Sequence, residues 1–300
     1  MPGQDKKGYY LYELIKDLKR GHFRPAALRN FILNGVAYGV GIAWQHKNLR
    51  HSFYLVTFAL FILLAFIGGI FYFYEAERFL PIAIAEGILF VVTFFLTLLQ
   101  LGLVRTESGE LYDRFVLPNV LTLVRLLMIP YLFFGIFLHQ PGTEFTKLLF
   151  FLFGATALTD IFDGLIGRKL GLTSDFGRIY DPVIDVMFNS FLYVSLYVKE
   201  GGFLPHWFFW LVMVRYCFPP LAGFFLYLFN EPFRVKSTVM GKLSSFSLSI
   251  YLAFFLFHRG FTPDFYGKGL LDSLLIAAGV INVLTILAFV FKGIRLVKKT

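Results

Sequence analysis

A single cysteine, Cys217, in a chain of 300 residues rules out any disulfide within it. It lies inside an apolar run, where a buried and inert thiol is expected. Charge is scarce too. Asp, Glu, Lys and Arg make up 16% of the residues, against about 25% in average proteins. So little charge beside 57% hydrophobic residues excludes a water-soluble core. Residues 1–30 hold no compact apolar stretch of the kind that marks a cleavable signal peptide. No internal repeat, low-complexity segment or soluble catalytic domain is visible.

What the chain has in quantity is long apolar runs, several of them beyond the roughly 20 residues that cross a bilayer. The net charge is +9, which raises the possibility of nucleic-acid binding. The basic residues, however, sit in short loops and at both termini, without interleaved aromatics. That distribution fits membrane topology and contact with anionic lipid, not nucleic acid. Within residues 1–50, Tyr10, Leu11, Leu14, Ile15 and Leu18 fall on one helical face, and Lys16, Asp17, Lys19 and Arg20 on the other. This spacing predicts an interfacial helix, or alternatively a cytoplasmic helix packed on the protein's own loops. Residues 30–44 are apolar but short, and read as juxtamembrane or re-entrant.

Spans are predicted near 52–74 and 80–103, forming an extra N-terminal pair within residues 51–110. A polar linker over residues 105–114 follows. Six further spans are expected within residues 111–300, near 119–138, 145–168, 175–198, 204–229, 243–258 and 269–292. Pro219 and Pro220 are expected to break the fourth of these. With the N-terminus inside, eight spans place the basic loops and the tail on the cytoplasmic side.

Polar chemistry concentrates in residues 160–185. Asp160 and Asp163 are i and i+3 on one helix face, with Gly164 on the same face. Asp181 and Asp185 are i and i+4 on the next helix. A carboxylate in hydrocarbon costs about 2.5–3.5 kcal/mol on insertion scales, so such a group needs compensating charge. All-oxygen ligation favours Mg²⁺, Mn²⁺ or Ca²⁺ over zinc. Gly164, Gly167 and Gly177 leave room for a ligand or a second helix, and Arg168 offers a planar cation suited to phosphate. Pro182 leaves two starts open for this helix: Asp181 as its N-cap, or an earlier start near Ser174.

The pattern Asp-x2-Asp-Gly-x2-Gly-Arg-x8-Gly-x3-Asp-x3-Asp, built from Asp160, Asp163, Gly164, Gly167, Arg168, Gly177, Asp181 and Asp185, resembles the signature of CDP-alcohol phosphotransferases. Gly167 stands where the family has alanine. Upstream, Leu-Pro-Asn-Val-Leu-Thr-Leu-Val-Arg over residues 117–125 resembles the opening of the phosphatidylglycerophosphate synthase branch, as do Arg215 and the Gly241-Lys242 pair. The resemblance covers roughly residues 111–295.

It implies an all-α integral membrane protein with a six-helix core, here preceded by two extra transmembrane helices and the interfacial helix. It implies an enzyme that is usually a homodimer, and the eight-span topology with basic loops inside places its site at the cytoplasmic face. The reaction implied is phosphatidyl transfer from a CDP-linked lipid such as CDP-diacylglycerol to an alcohol, with glycerol 3-phosphate favoured, releasing CMP. Asp160, Asp163, Asp181 and Asp185 would hold two Mg²⁺ or Mn²⁺ ions, with Asp185 also the general base. Thr122, Arg125, Asp163, Gly164, Gly167, Arg168 and Gly177 would line the CDP pocket. Arg215 and Lys242 would take the acceptor's phosphate. Plainer readings stand beside these: Asn119 as a helix cap, Arg125 snorkelling, and Arg215 ion-paired to a site carboxylate. A different acceptor alcohol, such as a cardiolipin-type one, is the alternative within the family. A transporter or a non-catalytic scaffold is the alternative outside it. Transport is disfavoured by the lack of an inverted repeat, and a scaffold by the retention of all four aspartates.

Overall fold

The structure, a computed structural model, describes residues 24–106, 108–199, 204–229, 239–262 and 268–297. The expected helix at residues 10–18, the basic residues Arg234 and Lys236, and the end of the basic tail lie outside the described residues. Among those described, the regular elements are helices, apart from an isolated bridge between Arg105 and Leu111. The protein is an all-α integral membrane protein. Among the described residues, five helical segments are long and apolar enough to cross a bilayer: Lys47–Leu99, Leu117–Leu138, Glu144–Leu170, Met240–Phe261 and Gly269–Phe291.

The helices are α1 (Pro25–Gln45), α2 (Lys47–Glu75), α3 (Phe79–Leu99), α4 (Leu117–Leu127), α5 (Ile129–Leu138), α6 (Glu144–Leu170), α7 (Asp175–Lys199), α8 (His206–Phe229), α9 (Val239–Phe261) and α10 (Lys268–Val297). They divide into two compact units, one of Met1–Pro130 and Leu158–Ile184, the other of Tyr131–Ala157 and Asp185–Thr300.

In the first unit, α2 and α3 pack on each other and on α4, and α1 lies against α3. Phe53 of α2 is buried and stacks on Phe94 of α3 at 5.6 Å, with Phe115 tilted against it at 5.5 Å. Residues 30–44, expected to be juxtamembrane or re-entrant, are part of the 21-residue helix α1. Pro25 starts it from the first turn, where a missing N–H costs nothing. Two features seat α1. Buried Arg105 donates from Nε to the Gly102 carbonyl at 2.6 Å and from Nη2 to the Tyr38 hydroxyl at 2.8 Å. Gly39 meets the backbone of Leu99 so closely that a Cβ there would stand 1.6 Å from the Leu99 carbonyl oxygen. Gly39→Ala is therefore expected to dislodge α1. Overpacking costs about 1–3 kcal/mol, and a backbone oxygen cannot rotate aside. Faster proteolysis across residues 24–46 and a lower Tm in detergent are the measurements.

In the second unit, α10 packs on α8 and α9. Tyr193 is fully buried and donates its hydroxyl to the Leu248 carbonyl at 2.8 Å, beside Phe208 and Tyr251. Helix α8 runs on through Pro219 and Pro220, where a break is expected. Proline's fixed φ is helical, so the pair removes two hydrogen-bond donors without forcing the chain out of the helix. Cys217 is exposed on α8, not buried. An apolar run in a membrane helix has lipid-facing positions as well as packed ones, so hydrophobic flanks do not fix burial. The first core span also differs from expectation. It is two helices, α4 and α5, meeting at Met128. Pro130 lacks the N–H that would bond the carbonyl of Leu126, and its ring crowds that carbonyl.

Candidate functional site

The site is set by how α6 stops and α7 starts. Gly171, at φ +65°, ends α6, and the Leu172 N–H reaches back to the Gly167 carbonyl at 3.0 Å. This is the Schellman closure, which needs a residue tolerant of the left-handed region. Ser174 then caps α7 by accepting from the Gly177 N–H at 3.1 Å. Of the two starts open in the sequence, the earlier one holds: α7 begins at Asp175, and Pro182 sits within it. Asp181 is consequently two turns inside the helix and free of any capping duty.

The same serine ties α7 to α4. Its hydroxyl donates to Oδ1 of Asn119 at 2.7 Å. Asn119 is fully buried, and it does not cap α4; Val116 holds that position, without a side-chain cap bond. One step along α4, Thr122 Oγ1 donates to Asp181 Oδ1 at 2.7 Å and lies 3.0 Å from the Pro118 carbonyl. A Cβ on Gly177 would come within 3.3 Å of Asn119 Oδ1 and 3.6 Å of Asp181 Oδ2. The bare glycine thus keeps open the space beside the carboxylate.

Another step along α4 stands Arg125, 2% exposed. Its Nη1 lies 2.8 Å from Asp160 Oδ1, and its Nη2 donates to Asp163 Oδ2 at 2.5 Å. Asp163 is buried, while Asp160 is 54% exposed at its side chain. Arg125 is not snorkelling; it bridges two acids that lie 35 and 38 residues away in sequence. Its planar fork suits this, since two nitrogens address two carboxylates at once.

Thr122, Arg125, Asp160, Asp163, Gly177 and Asp181 are therefore brought together in the first unit. Gly164, Gly167 and Arg168 lie beside them on α6. The Arg168 guanidinium folds back over Gly164, where a Cβ would meet Nη1 at 3.2 Å, and Gly167 is packed near Pro118 and Thr173. Asp185, Arg215 and Lys242 belong to the second unit. Asp185 is half-buried, one helical turn beyond Asp181 on α7. Arg215 donates from Nε to Ser244 Oγ at 2.8 Å and from Nη2 to the Gly241 carbonyl at 3.1 Å. Ser244 in turn donates to Asn282 Oδ1 at 2.6 Å, and both are fully buried. Lys242 is exposed.

Ser174, Ser244 and Asn282 join the site contacts without being among the residues that the sequence singles out. Ser174 carried a visible signal: a serine three residues before a helical N–H is cap spacing. The other two carried none.

Among the described residues, no three His, Cys, Asp or Glu side chains converge closely enough to hold a metal ion. Arg125 occupies that role electrically, supplying the positive charge between Asp160 and Asp163. The donor chemistry still fits a hard divalent cation: the carboxylates are all-oxygen, and Gly177 leaves space beside Asp181.

A family model for CDP-alcohol phosphatidyltransferases matches residues 115–291. Among curated proteins, the chain is similar to a CDP-diacylglycerol–glycerol-3-phosphate 3-phosphatidyltransferase of Rickettsia felis, 33% identical over 85 residues, covering 28% of this chain and 46% of that one. A protein of the same name from Wigglesworthia glossinidia brevipalpis is 39% identical over 69 residues, 23% of this chain and 37% of its own. Another from Aquifex aeolicus is 27% identical over 135 residues, 45% of this chain and 72% of its own. The chain spans about half the length of the curated relatives it matches. The family match takes in α4 to α10 as far as residue 291, with each of the aspartates that the spacing had singled out; the chain belongs to the CDP-alcohol phosphatidyltransferase family.

Proposed function

We propose that this chain is a multi-pass membrane transferase that moves a phosphatidyl group from CDP-diacylglycerol to glycerol 3-phosphate and releases CMP. The observation that carries the reading is that contacts between three helices tie Thr122 to Asp181, and Arg125 to Asp160 and Asp163, within one unit. The names of the relatives support the donor and acceptor. The site lies at the cytoplasmic face, as the placement of basic loops favours, and the working unit is a homodimer, as the family resemblance implies.

Asp160, Asp163, Asp181 and Asp185 would hold Mg²⁺ or Mn²⁺, two ions in all, which when bound neutralise the diphosphate and its leaving oxygen. The chain's own groups do the rest. Thr122 orients Asp181. Gly164, Gly167 and Gly177 let the cytidine diphosphate approach the backbone, Arg168 addresses its phosphates, and Arg125 holds Asp160 and Asp163 in place beside it. Asp185 takes the proton from the acceptor hydroxyl. The acceptor oxygen forms a bond to the phosphorus on the lipid side, the bond from that phosphorus to the bridging oxygen breaks, and CMP leaves with the electron pair. Arg215, with its Nε fixed by Ser244, and the exposed Lys242 receive the acceptor's phosphate.

An acceptor screen tests this. Purified protein, CDP-diacylglycerol and a panel of alcohols are mixed with Mg²⁺, and CMP and the lipid product mass are read. Glycerol 3-phosphate is expected to give phosphatidylglycerophosphate at the highest rate. Product with a different alcohol only would replace the acceptor, and no CMP with any alcohol would overturn the transferase reading.

A further inference from the structure

The family match begins at residue 115, yet several residues before it reach the start of α7. The Tyr180 hydroxyl donates to Gln100 Oε1 at 2.7 Å. Tyr180 also stacks on Phe176 at 4.2 Å, Phe176 meets Phe115 edge-on at 5.8 Å, and Phe115 packs on Phe53 of α2 at 5.5 Å. The Phe115 N–H bonds Ser52 Oγ at 3.2 Å. Further along, the residue 105–114 linker closes on itself at Gly109, φ +90°, and rests on the α6–α7 connection. There the Tyr112 hydroxyl lies 3.1 Å from the Gly171 carbonyl and 3.0 Å from that of Thr173, and the Asp175 N–H bonds the Arg105 carbonyl at 3.2 Å.

These contacts have a direction. Tyr180 immediately precedes Asp181, so fixing its ring fixes the rotation of α7 about its axis at the turn that carries that carboxylate. One residue of helix is 100° of rotation, and a small turn of α7 would carry Asp181 off Thr122. Gln100 sits just past the end of α3, so α3 and the stack from α2 hold the ring from two sides.

We propose that the N-terminal helices α2 and α3, which lie outside the matched domain, position Asp181 for cation binding through the Gln100–Tyr180 hydrogen bond, making Gln100 and Tyr180 positioning residues. The proposal rests on the reading of Asp181 as a cation ligand. It gives the extra helices a task in the chemistry of the site, where a purely lipid-facing or dimer-forming pair would leave the cation site unchanged.

The test is Mn²⁺ binding by electron paramagnetic resonance on the full chain in detergent, with CMP release in parallel. Gln100→Leu and Tyr180→Phe are each expected to weaken Mn²⁺ binding ~10-fold, on the scale of misplaced site geometry. The double variant should be no weaker than the worse single one, since both remove the same bond. Gln100→Glu keeps an oxygen acceptor and is expected to stay within about twofold of the unaltered protein. Variants that lose Tm but bind Mn²⁺ like the unaltered protein would overturn the proposal, as would losses that simply add. Unaltered protein that binds Mn²⁺ without releasing CMP would sink the transferase reading alone, leaving the Mn²⁺ comparison to decide the positioning role. Unaltered protein that binds no Mn²⁺ would end both.

Discussion

Asp185→Asn is expected to lower CMP release by ~10³-fold or more while leaving the protein folded. Loss of a general base alone removes about 10²–10⁴ in rate, and asparagine is also a weaker oxygen donor to a hard cation. The substitution keeps the size and shape of the side chain, and α7 continues through it for another 14 residues to Lys199, so the helix has no reason to unwind. CMP release at saturating CDP-diacylglycerol and glycerol 3-phosphate is the readout, with circular dichroism and Tm as the control. Retained CMP release at near the unaltered rate would remove Asp185 from the chemistry.

Arg125→Gln is the second large effect, and it falls first on stability. Arg125 is buried and bridges a buried acid, Asp163, to an exposed one, Asp160. Removing one partner of a buried pair costs about 3–5 kcal/mol, because the remaining charge is left uncompensated. The loss should be largest without divalent cation. Mg²⁺ is expected to restore much of it, since the ion would supply the charge that the guanidinium carried. Thermal unfolding in detergent with chelator and then with Mg²⁺ checks both halves. Arg125→Lys should fall between the two, keeping the charge but losing the fork that spans both carboxylates. An unchanged Tm for Arg125→Gln in chelator would mean the bridge contributes nothing.

The carboxylate spacing was legible because i, i+3 and i+4 fix a helix face whatever surrounds it. So was the membrane class, which follows from the length of the apolar runs. The partner of Arg125 was not legible, since which acids an arginine meets depends on how separate helices pack. The role of Asn119 is hidden in the sequence for a related reason. A Pro-Asn pair before an apolar run looks like a cap, but the asparagine lies one turn further in and bonds Ser174. Helix α1 is longer than the apolar stretch over residues 30–44, because Arg29 is polar yet does nothing to stop a helix. The break at Met128 could have been foreseen from Pro130, whereas the prolines of α8 carried the same signal and left that helix unbroken. Proline marks where a helix loses a bond, and neighbours decide whether it parts.

The bridge made by Arg125 bears on how such a chain is made. A nascent helix carrying Asp160 and Asp163 would enter the bilayer with two negative charges, but paired to Arg125 the trio carries one. Insertion and assembly then need not wait for an ion, unlike small zinc domains that fold only around their metal. A cation taken up there would then load late and reversibly, after the helices have packed.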